Sequence, residues 1–142
     1  MIKPIFESAI IMEDVKIKLA AAWIAAMFAY IYADILGFYV PGAIGKIMAG
    51  ELPIGSPITV LAAAILMSIP GFMVFLSLTL PYKTNRWVNI IMGIFHFGLA
   101  IGTFFASPLD ASELYYYYFA FIEIGFTTLI IWYAKNWSKQ ED

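Results

Sequence analysis

Residues 114–134 read LYYYYFAFIEIGFTTLIIWYA, an apolar run that opens on Tyr115, Tyr116, Tyr117 and Tyr118, closes on Trp132 and Tyr133, and carries one ionisable side chain, Glu123, at its middle. At about 1.5 Å of rise per residue, a helix of this length crosses a hydrocarbon core of about 30 Å. Aromatic side chains at both ends are what such a helix places at the two membrane interfaces. A carboxyl group at the midplane is costly unless it has a partner or water, so Glu123 is a candidate functional residue from the outset.

Three more runs of the same kind precede it, and the composition agrees. Of 142 residues, 63% are hydrophobic and 13% charged, whereas soluble domains carry about a quarter charged residues. The sequence therefore predicts an all-α integral membrane protein, an antiparallel up-down-up-down four-helix transmembrane bundle with helices over about 17–38, 57–80, 87–106 and 114–134. Residues 1–16 form an N-terminal segment in which Pro4 should break any early helix, 17–134 the membrane domain, and 135–142 a polar tail. Met12 is a second candidate start. The N-terminal piece mixes Lys3 with Glu7, Glu13 and Asp14 and lacks a signal-peptide pattern, so the first membrane helix is expected to do its own targeting.

The eight basic residues fall at one end of the predicted helices, Lys46 excepted: Lys3, Lys16 and Lys18, then Lys83 and Arg86, then Lys135 and Lys139. By the bias of basic residues toward the inner face, both termini are expected to be cytoplasmic. The scatter of these charges argues against nucleic acid as a partner. Zero cysteines exclude disulfides and thiolate metal sites. No cofactor is expected: no lysine lies mid-helix for retinal, one histidine cannot make a bis-His haem, and no Gly-rich phosphate loop is present. No metal site is expected either, because one His and two carboxyls on three helices lack a ligand pair at helical spacing.

Depth along the helices selects the candidate site. Counted from a turn near Asp110, His96 lies about fourteen residues before it and Glu123 about thirteen after, hence at nearly one level. The face of His96 holds Asn89, Gly93, Ala100 and Thr103, and that of Glu123 holds Tyr116, Ala120 and Thr127, small or polar residues that belong toward a bundle interior. A His96–Glu123 pair is the expectation, with an ion pair and a neutral hydrogen bond both open. In the first helix Tyr30 lies one turn from Asp34, near the outer end, where the carboxyl either reaches water or lines an inward cavity. In the second case Tyr30, Asp34, His96, Thr103 and Glu123 form a polar track from the outer surface to the midplane.

Ala25, Ala29, Ala33 and Gly37 recur every fourth residue, a small-residue row suited to close helix approach and one candidate interface for a homo-oligomer. Pro70 followed by Gly71 predicts a kink over Ser68–Gly71 in the second helix. The many phenylalanines could line a pocket for a flat apolar ligand such as a quinone, a sterol-like lipid or a drug, although lipid-facing packing explains most of them more simply.

The runs Met12-Glu-Asp-Val-Lys-Ile-Lys, Tyr30-Ile-Tyr-Ala-Asp34-Ile-Leu-Gly, Ala64-Ile-Leu-Met-Ser-Ile-Pro70, Asn85-Arg-Trp-Val-Asn89 and Trp132-Tyr-Ala-Lys together resemble a family of small four-helix prokaryotic integral membrane proteins of unknown function. The resemblance covers nearly the whole chain after Met12 and implies a multi-pass protein of a prokaryotic cytoplasmic membrane. It implies no activity. Three functions remain in play. The first is binding or moving a small hydrophobic or protonatable ligand near His96 and Glu123. The second is a non-catalytic assembly or scaffold subunit. The third is a lipid- or isoprenoid-modifying enzyme using His96 and Glu123 as an acid–base pair. Membrane lipids, a second copy and a small hydrophobic ligand are the partners these readings call for.

Overall fold

The computed structural model describes residues 3–51, 56–106 and 114–137, with side chains from Asp14 onward; the turn around Asp110 and the tail beyond Trp137 lie outside them. Its helices are α1 (Lys3–Gly37), α2 (Ala43–Met48), α3 (Pro57–Thr79), α4 (Tyr82–Ala106) and α5 (Leu114–Asn136). All but α2 contain a stretch long and apolar enough to cross a membrane, over Asp14–Gly37, Pro57–Thr79, Tyr82–Phe105 and Leu114–Asn136. The chain is thus a helical bundle of the multi-pass membrane kind.

Local chemistry sets the helix ends. The Ser56 hydroxyl accepts the Thr59 N–H at 3.2 Å and Pro57 occupies the first turn of α3, where its missing N–H costs nothing. The same reasoning corrects the expected break at Pro4: α1 begins at Lys3, so this proline also sits in a first turn, and the N-terminal segment is helical. Helix α4 starts at Tyr82, earlier than the composition suggests, because the Pro81 carbonyl accepts the Asn85 N–H at 2.9 Å. Only Leu80 and Pro81 separate α3 from α4. The short α2 is bracketed by Gly42 and Gly50, whose φ angles of 85° and 70° suit glycine. Helix α3 runs continuously through Pro70, as a helix kinked at a proline also can. Pro70 nevertheless has no N–H to give the Leu66 carbonyl.

Every major contact is antiparallel. Lys16 near the start of the α1 span reaches the Leu78 carbonyl near the end of α3 at 3.4 Å, and Gly37 at the other end of α1 lies against Tyr115 at the start of α5. Helix α1 packs on both α3 and α5, and α5 on α4, whereas α3 and α4, although consecutive, touch far less. Gly93 allows α4 to lie close on α5: a methyl group there would come within 2.9 Å of Ile131 Cγ1.

The apolar core of Leu19, Trp23, Met73, Ile130, Ala134 and Trp137 lies toward one end of the bundle. Arg86 closes that end. Its guanidinium donates to the carbonyls of Ala134 at 3.1 Å and Lys135 at 2.9 Å, satisfying the last turn of α5, and the Tyr82 hydroxyl donates to the Trp137 carbonyl at 2.7 Å. The other end is looser. The buried residues of α3 are Pro70, Met73 and Ser77, and Pro57–Ala62 are exposed all round.

In α1, Ala29 and Ala33 are buried and Ala25 and Gly37 half-buried within the chain. The small-residue row therefore serves packing inside the bundle, not the free outer face that a copy-to-copy contact along α1 requires. Phe72, Phe75, Phe95, Phe105 and Phe121 are exposed on the outside of the bundle, which places them toward lipid, not around an internal pocket.

Candidate functional site

Two groups of buried polar residues lie at different levels of the bundle. At the level nearer Arg86, the Asn89 Oδ1 accepts from Trp23 Nε1 at 2.7 Å and from the Ser77 hydroxyl at 3.1 Å. Its Nδ2 donates to the Asn85 side-chain oxygen at 2.7 Å and to the Asn85 carbonyl at 3.0 Å. Asn85 in turn donates to the Ser77 carbonyl at 2.7 Å. A carboxamide has two donors and two acceptor positions, and Asn89 has used all four. Asn89 therefore ties α1, α3 and α4 together and keeps no valence for a ligand. Thr127 is likewise engaged, donating to the carbonyl of Glu123 at 2.7 Å.

His96 stands beyond this clasp and is 2% exposed. The edges and faces of Trp23 and Phe95 hold its ring, with centroids 5.4 Å away in each case. Its Nδ1 hydrogen-bonds the Tyr30 hydroxyl at 3.0 Å, and its Nε2 is buried with no hydrogen-bond partner among the described residues. Neither ring nitrogen hydrogen-bonds Glu123. The depth count put His96 and Glu123 at one level, but Tyr30 from α1 takes the position next to the imidazole. The aromatic packing of His96 and the Tyr30 bond fix the ring, so the unmet Nε2 is held in place.

Three cavities with overlapping walls lie around these residues. A vestibule of about 380 Å³ lies beneath α2, between Asp34, Gly37, Lys46, Tyr115 and Tyr116 among others. A narrow middle cavity of about 60 Å³ is lined by Tyr30, Ala33, Asp34, Met67, Thr103, Tyr116, Ala120 and Glu123. A cleft of about 170 Å³ is lined by Tyr30, Leu66, Met67, Pro70, His96, Leu99, Thr103 and Tyr116. Ala33, Asp34 and Tyr116 are shared by the first two, and Tyr30, Met67, Thr103 and Tyr116 by the second and third. Asp34 is exposed and Glu123 is 5% exposed.

Of the sequence-predicted residues, Tyr30, Asp34, His96, Thr103, Tyr116 and Glu123 line one or more of these cavities, while Asn89 and Thr127 do not. The structure adds Leu66, Met67, Pro70 and Leu99, which form the apolar wall of the cleft, and Lys46 in the vestibule. Pro70 carried a signal in the sequence, being a helix-interior proline; Met67 and Leu99 carried none, because an apolar residue facing a cleft reads like one facing lipid.

The chain matches, over residues 5–142, a family described as a family of unknown function (DUF6326). The match reaches back beyond Met12, so most of the N-terminal segment also falls within it. No curated protein and no solved structure matches the chain.

Proposed function

The chain thus belongs to a family whose function is unknown, and from that premise we propose that it binds, and passes along its interior, a small hydrophobic or protonatable ligand held at His96. The observation that carries this reading is the orphaned Nε2. A buried polar atom without a partner costs about 1–3 kcal/mol. A fold that pins the surrounding ring by three aromatic neighbours and a hydrogen bond, yet leaves this atom unmet on a residue lining a cleft, has the form of a site awaiting a hydrogen-bonding guest. A purely structural histidine at this position would be expected to satisfy both nitrogens.

In this reading the Asp34 vestibule is the water-facing outer end and the Arg86 end is cytoplasmic, since Lys16, Lys18, Lys83, Arg86 and Lys135 gather there. The polar clasp of Trp23, Ser77, Asn85 and Asn89 plugs the path on the cytoplasmic side, so passage needs that clasp to open. The test is native mass spectrometry of the full chain extracted from its own membrane, wild type against His96→Leu. A bound small molecule present in the wild type and lost in a still-folded His96→Leu protein supports the reading. A folded wild type that carries no adduct and whose Nε2 no added small molecule reaches would overturn it.

A further inference from the structure

We infer that the ligand is a membrane-dissolved molecule with an oxygen-bearing head, and that it enters sideways through the gap between α3 and α4. This rests on the reading of His96 as a ligand site and adds the ligand class and the route. Three observations carry it. The cleft at His96, about 170 Å³, is below the range of about 300–1,000 Å³ that encloses whole ligands, so it takes a head group and leaves the rest of the molecule outside. The side on which it can remain open is the one between α3 and α4, which touch far less than the other neighbouring helices. Along α3 no residue before Pro70 is buried, and Met67 is 47% exposed while lining the cleft, so it stands at the rim. Outside that rim lies the apolar surface of a membrane-crossing bundle. A tail leaving the cleft there meets lipid.

The head-group chemistry follows from the imidazole. If the Tyr30 hydroxyl donates to Nδ1, a neutral ring carries its proton on Nε2, which then donates to a carbonyl oxygen such as that of a quinone. If Nδ1–H donates to Tyr30, Nε2 is the acceptor and takes a hydroxyl such as that of a prenyl alcohol. The common requirement is one oxygen at Nε2 on a small head carried by an apolar tail. Leu66 and Leu99 fit the apolar part of such a head. The vestibule is larger but holds an exposed Asp34 and an exposed Lys46, a setting for water.

Two features of the sequence make this testable. His96 is the single histidine, so histidine labelled with nitrogen-15 gives one imidazole, and the absence of cysteine lets a thiol cross-linker be placed at will. The full chain in phospholipid nanodiscs is titrated with a decyl-substituted benzoquinone, with farnesol, and with a tailless, water-soluble benzoquinone bearing the same ring substituents. The Nε2 resonance is followed in wild type, in M67C/L99C joined across the gap by a bifunctional maleimide, and in M67C/L99C with both thiols capped separately. The expected result is a saturable displacement of Nε2 by the decyl quinone or by farnesol in the wild type, a weaker one in the capped protein, whose cleft wall is altered at both positions, and at least a further tenfold loss of apparent affinity in the joined protein relative to the capped one. Displacement by the quinone alone identifies Nε2 as donor, and by farnesol alone as acceptor. If the joined protein binds the tailed probes as well as the capped one, lateral entry is wrong while the His96 site stands. If only the tailless ring binds, the membrane-dissolved class is wrong and the site again stands. If no probe moves Nε2, the proposal falls.

Discussion

At the residue scale, the buried polar side chains divide by whether their valences are filled. Asn89 is filled, and its replacement should therefore be a stability event. Asn89→Ala strands the Trp23 indole N–H, the Ser77 hydroxyl and the Asn85 oxygen together in a dry interior, with an expected loss of about 2–4 kcal/mol; a denaturant titration in mild detergent measures it, and a loss within error of zero would contradict the clasp. Tyr30→Phe is milder by the same bookkeeping of partners. It removes one hydrogen bond from His96 Nδ1, an expected cost of about 1 kcal/mol, but it frees the ring to turn, so a ligand anchored at Nε2 should weaken by more than the fold does. Comparing melting shift with ligand affinity in that variant separates the two. The sequence made His96 and Glu123 legible as interior residues because depth follows from counting along two helices joined by a turn. Which neighbour each touches depends on rotation about the helix axis and on α1, whose Tyr30 lies sixty-six positions away from His96 in the chain; counting cannot supply that, and Tyr30 took the place assigned to Glu123.

At the element scale, α5 depends on a side chain from another helix. Its last carbonyls, those of Ala134 and Lys135, are satisfied by Arg86 of α4, which also lies where the negative end of the helix dipole favours a cation. Arg86→Ala should cost about 1–3 kcal/mol, and Arg86→Lys should recover only part of it, since one ammonium cannot reproduce a planar fork reaching two carbonyls. Thermal unfolding of the two variants side by side checks the order; equal melting temperatures would show that the fork is not what holds this end. The helices themselves were plain in the apolar runs, and their ends were less so. A proline reads as a breaker unless its place in the first turn is known, which is why the structured start of α1 and the early start of α4 were hidden while the Ser56–Pro57 start of α3 was visible. The alanine row of α1 was likewise visible as a packing face, but its partner was not, because small residues suit an internal neighbour and a second copy equally.

At the scale of the whole molecule, the bundle has two unlike ends, and the proposed orientation, with the Arg86 end cytoplasmic, is open to a direct test. With no native cysteine to interfere, Lys46→Cys and Lys83→Cys report on the two ends, both positions being exposed. In intact cells a membrane-impermeant maleimide should label Lys46→Cys directly and Lys83→Cys only after permeabilisation; the opposite pattern would invert the molecule. The inequality of the two ends also has a mechanical side. Side-chain hydrogen bonds join α1, α3, α4 and α5 near Trp23, Ser77, Asn85, Asn89 and Arg86, whereas α3 is exposed from Pro57 to Ala62. Stiffness should fall along α3 from its sutured foot to its free head, with Pro70 as the compliant joint between them. Such a helix behaves as a cantilever: bilayer tension or thickness that bends it would change the width of the gap to α4, and amide exchange along α3 should quicken from Ser77 toward Pro57.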